Sequence, residues 1–207
     1  MNKDIEVEVS GPLTKDKFKE LVEFLGKNGR KIDEKHRVLI DYSTFLGDGL
    51  ENRDKDIRLR ITNGVPEIIV KLGRWGGENQ RKELSVFAEH GSFDRLAQVF
   101  GELGYKRGML CERISRVYDY KGVEFALVEV PGHSFHYEAE MMTEAGETEG
   151  TMEEIRKICA ELGLEIWDDR GYFDYIEKLN IEANTIFDYD EYFEGDLEKK
   201  FGFEAKK

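Results

Sequence analysis

Apolar and polar residues alternate along several separate stretches of this chain, and the polar members are charged. Over residues 3–10, Ile5, Val7 and Val9 alternate with Glu6, Glu8 and Ser10, which predicts a strand with one apolar and one acidic face. Gly11-Pro12 is expected to break it. Thr14 then suits the cap of a helix over about 15–27, with Phe18, Leu21, Val22 and Leu25 on one side. Residues 31–42 read as extended. Residues 56–62 alternate again, with Ile57, Leu59 and Ile61 opposite Arg58 and Arg60, and Asn63-Gly64 marks a hairpin. The returning strand, 66–72, carries Lys71. After Gly73–Gly77, residues 81–89 place Arg81, Glu83 and Ser85 on one face.

A helix is predicted over 92–104, followed by strands over 111–120, 123–130 and 135–142. Further helices are expected at about 151–162 and 171–179. Eight strands, mostly in hairpin order and with few helices, predict an α+β fold. Its centre would be an antiparallel barrel or strongly curved sheet with helices packed outside. The acidic and aromatic segment 181–207 receives no role from its pattern, and the expected division is a domain over 1–180 followed by this tail.

Composition narrows the function classes. The chain has 207 residues, 40% of them hydrophobic, enough for a substantial core. No apolar run of membrane-spanning length occurs, and the N-terminus lacks a secretory pattern. Cys111 and Cys159 lack metal-type spacing and read as buried thiols, which fits a cytoplasmic setting. A net charge of −13 argues against a nucleic-acid-coating surface. It leaves room for one phosphorylated ligand in a locally basic cavity. Gly73–Gly77 lacks the Lys-Ser/Thr of a P-loop. Trp75 could stack on a base or simply anchor its loop. His133 and His136 flank the last strand and are usually surface residues in such a position, although one could reach a tunnel mouth.

Charges of both signs on so many polar strand faces call for an explanation. If apolar faces point outward to the helices, the charges line one lumen. Paired carboxylates there would repel unless a cation intervened, and hard oxygen ligands suit Mg²⁺ or Mn²⁺. Arginines would grip phosphoryl oxygens in bidentate fashion.

These residues resemble, in order, the motifs of the CYTH or triphosphate tunnel metalloenzyme family. Glu6-Val7-Glu8 is similar to its Glu-x-Glu-x-Lys strand, Arg58-Leu59-Arg60 to Leu-Arg-x-Arg, and Ile68–Lys71 to the strand supplying a lysine. Arg81-Lys82-Glu83 resembles Arg-x-Glu, and Arg113 with Tyr118 resembles Lys-x-Arg-x-x-Tyr. Glu129-Val130-Pro131-Gly132 with Glu138-Ala139-Glu140 resembles the closing motif. The resemblance implies an eight-stranded tunnel that binds a triphosphate with divalent ions. Glu6, Glu8, Glu138 and Glu140 would hold Mg²⁺ or Mn²⁺; Arg58, Arg60, Lys71, Arg81 and Arg113 would bind phosphates. Glu83 and Glu138 would serve catalysis.

Three positions depart from the pattern: Ser10 and Ser115 replace cations, and Val128 replaces an acid. Arg116 has the wrong parity to replace the second cation, whereas Glu124 shares the face of Val128. The leading expectation is a divalent-metal-dependent triphosphatase acting on tripolyphosphate or a nucleoside or other organic triphosphate. An RNA 5′-triphosphate end is the one nucleic-acid partner that fits. A class IV adenylate cyclase, making cyclic AMP and pyrophosphate from ATP, is the first alternative, but the His-Phe-x-Gly stretch of those cyclases is not found before the first strand. A degenerate tunnel that binds without turnover is the second, favoured by Ser10, Ser115 and Val128.

Overall fold

The computed structural model describes residues 5–47, 53–73, 78–144, 146–192 and 195–203, with side chains from 81 onward in the third of these strands and segments. Trp75 lies outside the described residues. The strands are β1 (Ile5–Leu13), β2 (Arg30–Asp41), β3 (Lys55–Thr62), β4 (Val65–Leu72), β5 (Glu78–Phe87), β6 (Arg107–Tyr120), β7 (Val123–Val130), β8 (Ser134–Thr143) and β9 (Thr185–Asp188). The helices are α1 (Lys15–Asn28), α2 (Phe93–Glu102), α3 (Thr148–Glu161), α4 (Asp169–Glu182) and α5 (Asp196–Lys200).

The strands run in the order β2-β3-β4-β5-β1-β8-β7-β6, and an antiparallel β2–β6 pairing closes the ring. This is the predicted eight-stranded antiparallel barrel with helices outside. Its core is inverted relative to a barrel filled by apolar side chains. Val7, Val9, Phe125, Leu127, Tyr137 and Ala139 point outward beneath α1 and α3, which contribute Phe18, Leu21, Leu25, Ile155 and Ile158. Each such fully buried large side chain is worth roughly 1.5–3 kcal/mol. The apolar strand faces therefore stabilise the helices, and the charged faces are left to the lumen. Thr14 caps α1 as expected, its Oγ1 accepting from Lys17 N at 3.1 Å. The Asn63-Gly64 turn forms with both residues at positive φ.

Gly11-Pro12 does not end β1, contrary to expectation. The strand continues against β8 with Gly11 opposite Tyr137 and Pro12 opposite His136. Among the described residues, pairing with β5 involves Ile5–Val9. The glycine serves close approach instead of a turn: a Cβ there would lie 1.9 Å from the Glu165 carbonyl oxygen and 2.6 Å from the Tyr137 ring.

The C-terminal segment packs on the barrel. β7 pairs with β6 over Ile114–Tyr120, and β9 pairs with the preceding stretch, Arg107–Leu110. Phe187 and Leu197 join Val38, Ile40, Tyr42, Leu59 and Phe100 in a second outer core. Two acids fasten it. Asp94 accepts from the backbone N–H groups of Leu197 and Glu198 at 3.3 and 3.1 Å, while Glu198 accepts from Phe93 N at 3.0 Å. The helix ends thus cap one another, which gives two of the acidic residues a structural use. Both cysteines are free and buried, as the sequence predicts.

Candidate active site

Alternation along the closed strands places every predicted site residue on one cavity of about 290 Å³. Glu6 and Glu8 enter from β1, Arg58 and Arg60 from β3, and Lys71 from β4. Arg81 and Glu83 come from β5, Arg113 from β6, and Glu138 and Glu140 from β8.

The carboxylates divide into two groups. Glu6, Glu8 and Glu140 each bring an oxygen within 4.8 Å of the others. This follows from register, since Glu8 lies opposite Glu140 across β1–β8. Burial pushes the Glu8 carboxyl up to about 7, with Glu138 and Glu6 adding repulsion. Burial and the charges of Glu6 and Glu8 hold Glu140 well above the ordinary carboxylate range. Glu6 is lowered instead, because Lys71 outweighs the cost of burial. The Lys71 Nζ is 2.7 Å from both Glu6 oxygens and 3.2 Å from Glu83. Glu138 stands outside the three-acid group, 3.6 Å from His136 Nε2. Burial opposes its ionisation, but His136 and then Arg37 hold it far below the ordinary range.

Asp56 organises the cations. It is 1% exposed and accepts from Arg58 and, at 3.1 Å, from Arg81, with Arg53 at 3.5 Å. Burial would raise its pKa, yet these guanidinium groups lower it. Arg60 is braced separately by Glu67, through Nε at 3.0 Å and a terminal nitrogen at 2.5 Å. The bracing is incomplete. The Nε atoms of Arg37, Arg58 and Arg81 are buried without a hydrogen-bond partner. Unsatisfied buried donors are costly, and three in one cavity fit a multivalent anionic ligand.

Sequence reasoning missed several lining residues. Lys35, Arg37 and Asp41 share one parity on β2, opposite Val38 and Ile40, so the alternation was present. It is obscured by a register shift between Lys31 and Asp33 and by the polar outer residues Glu34 and His36. Lys35 lies directly opposite Ser115, which returns a cation beside one of the two vacated positions. Its Nζ is 3.6 Å from Glu124, which lies across from Glu140. Arg116 points outward over the Phe18 ring, as its parity requires.

Ser10, Ser115 and Val128 are all buried and all line the cavity. His136, rather than His133, reaches it; His133 bonds Glu182 at 2.9 Å. One mouth is crossed by α4, whose Tyr172, Tyr175, Ile176, Leu179 and Asn180 recur at helical spacing along the lining. Burial raises the Tyr172 phenol above its ordinary range, and the nearby Glu8 charge adds to this.

No family model and no curated protein matches the chain. Solved structures do. The PH1819 protein of Pyrococcus horikoshii OT3 is 25% identical, covers 84% of this chain and 98% of its own, and superposes with a TM-score of 0.66. A proposed adenylate cyclase of Vibrio parahaemolyticus is 15% identical, with coverages of 78% and 90% and a TM-score of 0.59. HpAC1 of Hippeastrum, a proposed adenylyl cyclase with a dominant triphosphatase activity, is 16% identical over 79% and 90%, with a TM-score of 0.52. The chain has the triphosphate tunnel, or CYTH, fold. At these identities the likeness is one of backbone architecture, and what the tunnel does must be argued from its own residues. No described helix is long and apolar enough to cross a membrane.

Proposed function

We propose that this chain is a divalent-metal-dependent phosphohydrolase that takes a triphosphate into its tunnel. The observation that carries the reading is the juxtaposition of Glu6, Glu8 and Glu140 with buried arginines whose Nε donors lack partners, all on one cavity. The donor set fits Mg²⁺ or Mn²⁺, because it is all oxygen and its mutual repulsion is relieved by a cation. When bound, such an ion would polarise a phosphoryl oxygen and draw charge from the leaving group.

The chain's own residues supply the rest. Arg37, Arg58 and Arg81 grip phosphoryl oxygens in place of their missing partners, with Arg60 and Arg113 extending the row. Asp56 and Glu67 hold Arg58, Arg81 and Arg60 in position, so little reorganisation accompanies binding. Lys71 neutralises Glu6 and sits where it can also meet a phosphate. Glu138, kept ionised beside His136 and Arg37, is suited to accept a hydrogen bond from the attacking water and so orient it. Glu83, paired with Lys71, is the other candidate for that task. HpAC1, which shares the fold, is described as having a dominant triphosphatase activity, and this favours hydrolysis over cyclisation.

The test is to incubate the protein with Mg²⁺ or Mn²⁺ and either tripolyphosphate or ATP, then resolve the products. Orthophosphate release is expected. Cyclic AMP with pyrophosphate would replace this reading with the cyclase, and ligand-induced stabilisation without product would replace it with a non-hydrolytic binder.

A further inference from the structure

The positions that depart from the family pattern are not scattered. Ser115 and Val128 are direct partners across β6–β7, and Val128 lies opposite His136 across β7–β8. Ser10 lies opposite Glu138, two residues along the same strand. The substitutions thus form one run of uncharged positions, bounded by Glu138 on β8 and Lys35 on β2.

The patch is also where the aromatic residues gather. The backbone N–H of Trp167 donates to the Ser10 carbonyl at 2.9 Å, fixing the indole beside that departure. Its ring stacks on Tyr175 at 4.5 Å and 28°. The Tyr175 hydroxyl is 3.1 Å from His136 Nδ1 and 3.0 Å from Ser134 Oγ. Farther along, Asn184 accepts from Arg113 at 3.1 Å, so α4 and its C-terminal end bridge from β8 to β6 above Val128. Trp167, Tyr175, Ile176 and Leu179 line the same cavity as Ser10, Ser115 and Val128.

Removing a charge from a wall that grips phosphate is a loss for a purely inorganic substrate. Beside aromatic and aliphatic groups it is a gain for an uncharged ring, because packing a ring there strips no water from a charged group. Small-molecule sites combine such apolar surfaces with a few convergent polar groups.

Resting on the triphosphate reading above, we infer that this patch is a subsite for a heteroaromatic leaving group, and that the chain selects an aromatic organic triphosphate over inorganic tripolyphosphate. The phosphates lie among the arginines and Lys71. The ring lies against Trp167, Tyr175 and Val128, with the His136 and Ser134 groups at its margin.

Calorimetric titration in Mn²⁺ with tripolyphosphate, methyl triphosphate and the common nucleoside triphosphates tests this. At least one nucleoside triphosphate should bind at least tenfold more tightly than either of the other probes. In Trp167→Leu that ratio should fall about tenfold, as expected for loss of ring stacking, and in Val128→Asp it should fall independently, because a carboxylate that needs solvation then faces the ring. Two variants on different elements guard against one misfolding. If tripolyphosphate or methyl triphosphate binds as well as every nucleoside triphosphate, or the ratio is unchanged in both variants, the subsite is refuted and the triphosphate reading survives. If no probe binds, both fail together.

Discussion

The tunnel wall has two unlike halves. On β3, β4, β5, β1 and β8 the inward positions carry ionisable groups of both signs, braced by Asp56 and Glu67 and clustered at Glu6, Glu8 and Glu140. On β6 and β7 the inward positions include Cys111, Ser115 and Val128, facing the aromatic and aliphatic stripe of α4, with Arg113 and Glu124 as charged exceptions. One barrel with one alternation rule therefore builds two different environments. The difference teaches that the charge pattern reports where a polyanion and metal would sit, while the breaks in it report where they would not.

The largest expected effect lies in the charged half. Glu138→Gln should lower metal-dependent phosphate release by about 10²–10³-fold, the usual range for losing one preorganised polar group at the reacting atoms. Steady-state phosphate release with saturating Mg²⁺ measures it. A loss below tenfold would move the catalytic task to Glu83 or elsewhere.

Next comes the brace. Asp56→Ala leaves buried arginines uncompensated, and breaking such a pair costs about 3–5 kcal/mol. Denaturant unfolding should show it. A tight-binding triphosphate should restore more stability to this variant than to the parent, since phosphate oxygens would replace the lost carboxylate.

A smaller effect concerns pH. Glu8 titrates near 7 and Glu140 also above its ordinary value, so the folded, metal-free protein binds protons there that the unfolded chain has released. These groups therefore stabilise the fold below pH 4.5, and their contribution is lost as pH rises toward and through about 7. Glu138 and Asp56, with lowered values, add stability as pH rises through the ordinary carboxylate range and no slope as it approaches 7. Saturating Mg²⁺ should flatten the decline and bind more tightly at pH 8 than at pH 6, because it displaces those protons. Thermal melts across pH, with and without Mg²⁺, check both points.

The smallest effect serves as the control. Lys82→Ala, exposed on the outer face beside Arg81, should change activity less than twofold and stability within about 0.5 kcal/mol. A large loss would mean that the two faces of β5 are assigned the wrong way round.

Much of this was legible in the sequence. Strict alternation at Ile5–Ser10 and Asp56–Thr62 showed which residues share a face, and the likeness to a known motif order then implied that the charged faces turn inward. All the proposed site residues consequently meet in one cavity. Other features depended on tertiary context. Lys35 and Arg37 lie on a strand whose register shifts and whose outer face is partly polar, so its parity was not read. Gly11-Pro12 looks like a break until the close approach of Glu165 and the continued pairing with β8 are known. The docking of α5 rests on reciprocal caps between Asp94 and Glu198, partners separated by 104 positions, which no local pattern reveals. The meeting of Ser115, Val128 and His136 likewise follows from strand register rather than from any motif.

The most direct test of the central claim is a calorimetric titration of ATP with and without Mn²⁺, in the parent protein and in Glu140→Gln. The account predicts one-to-one binding that requires Mn²⁺ and weakens by on the order of 100-fold or more in the variant, in keeping with loss of a metal ligand. Binding that is absent, or indifferent both to Mn²⁺ and to Glu140, would contradict a metal-assisted triphosphate site in this tunnel.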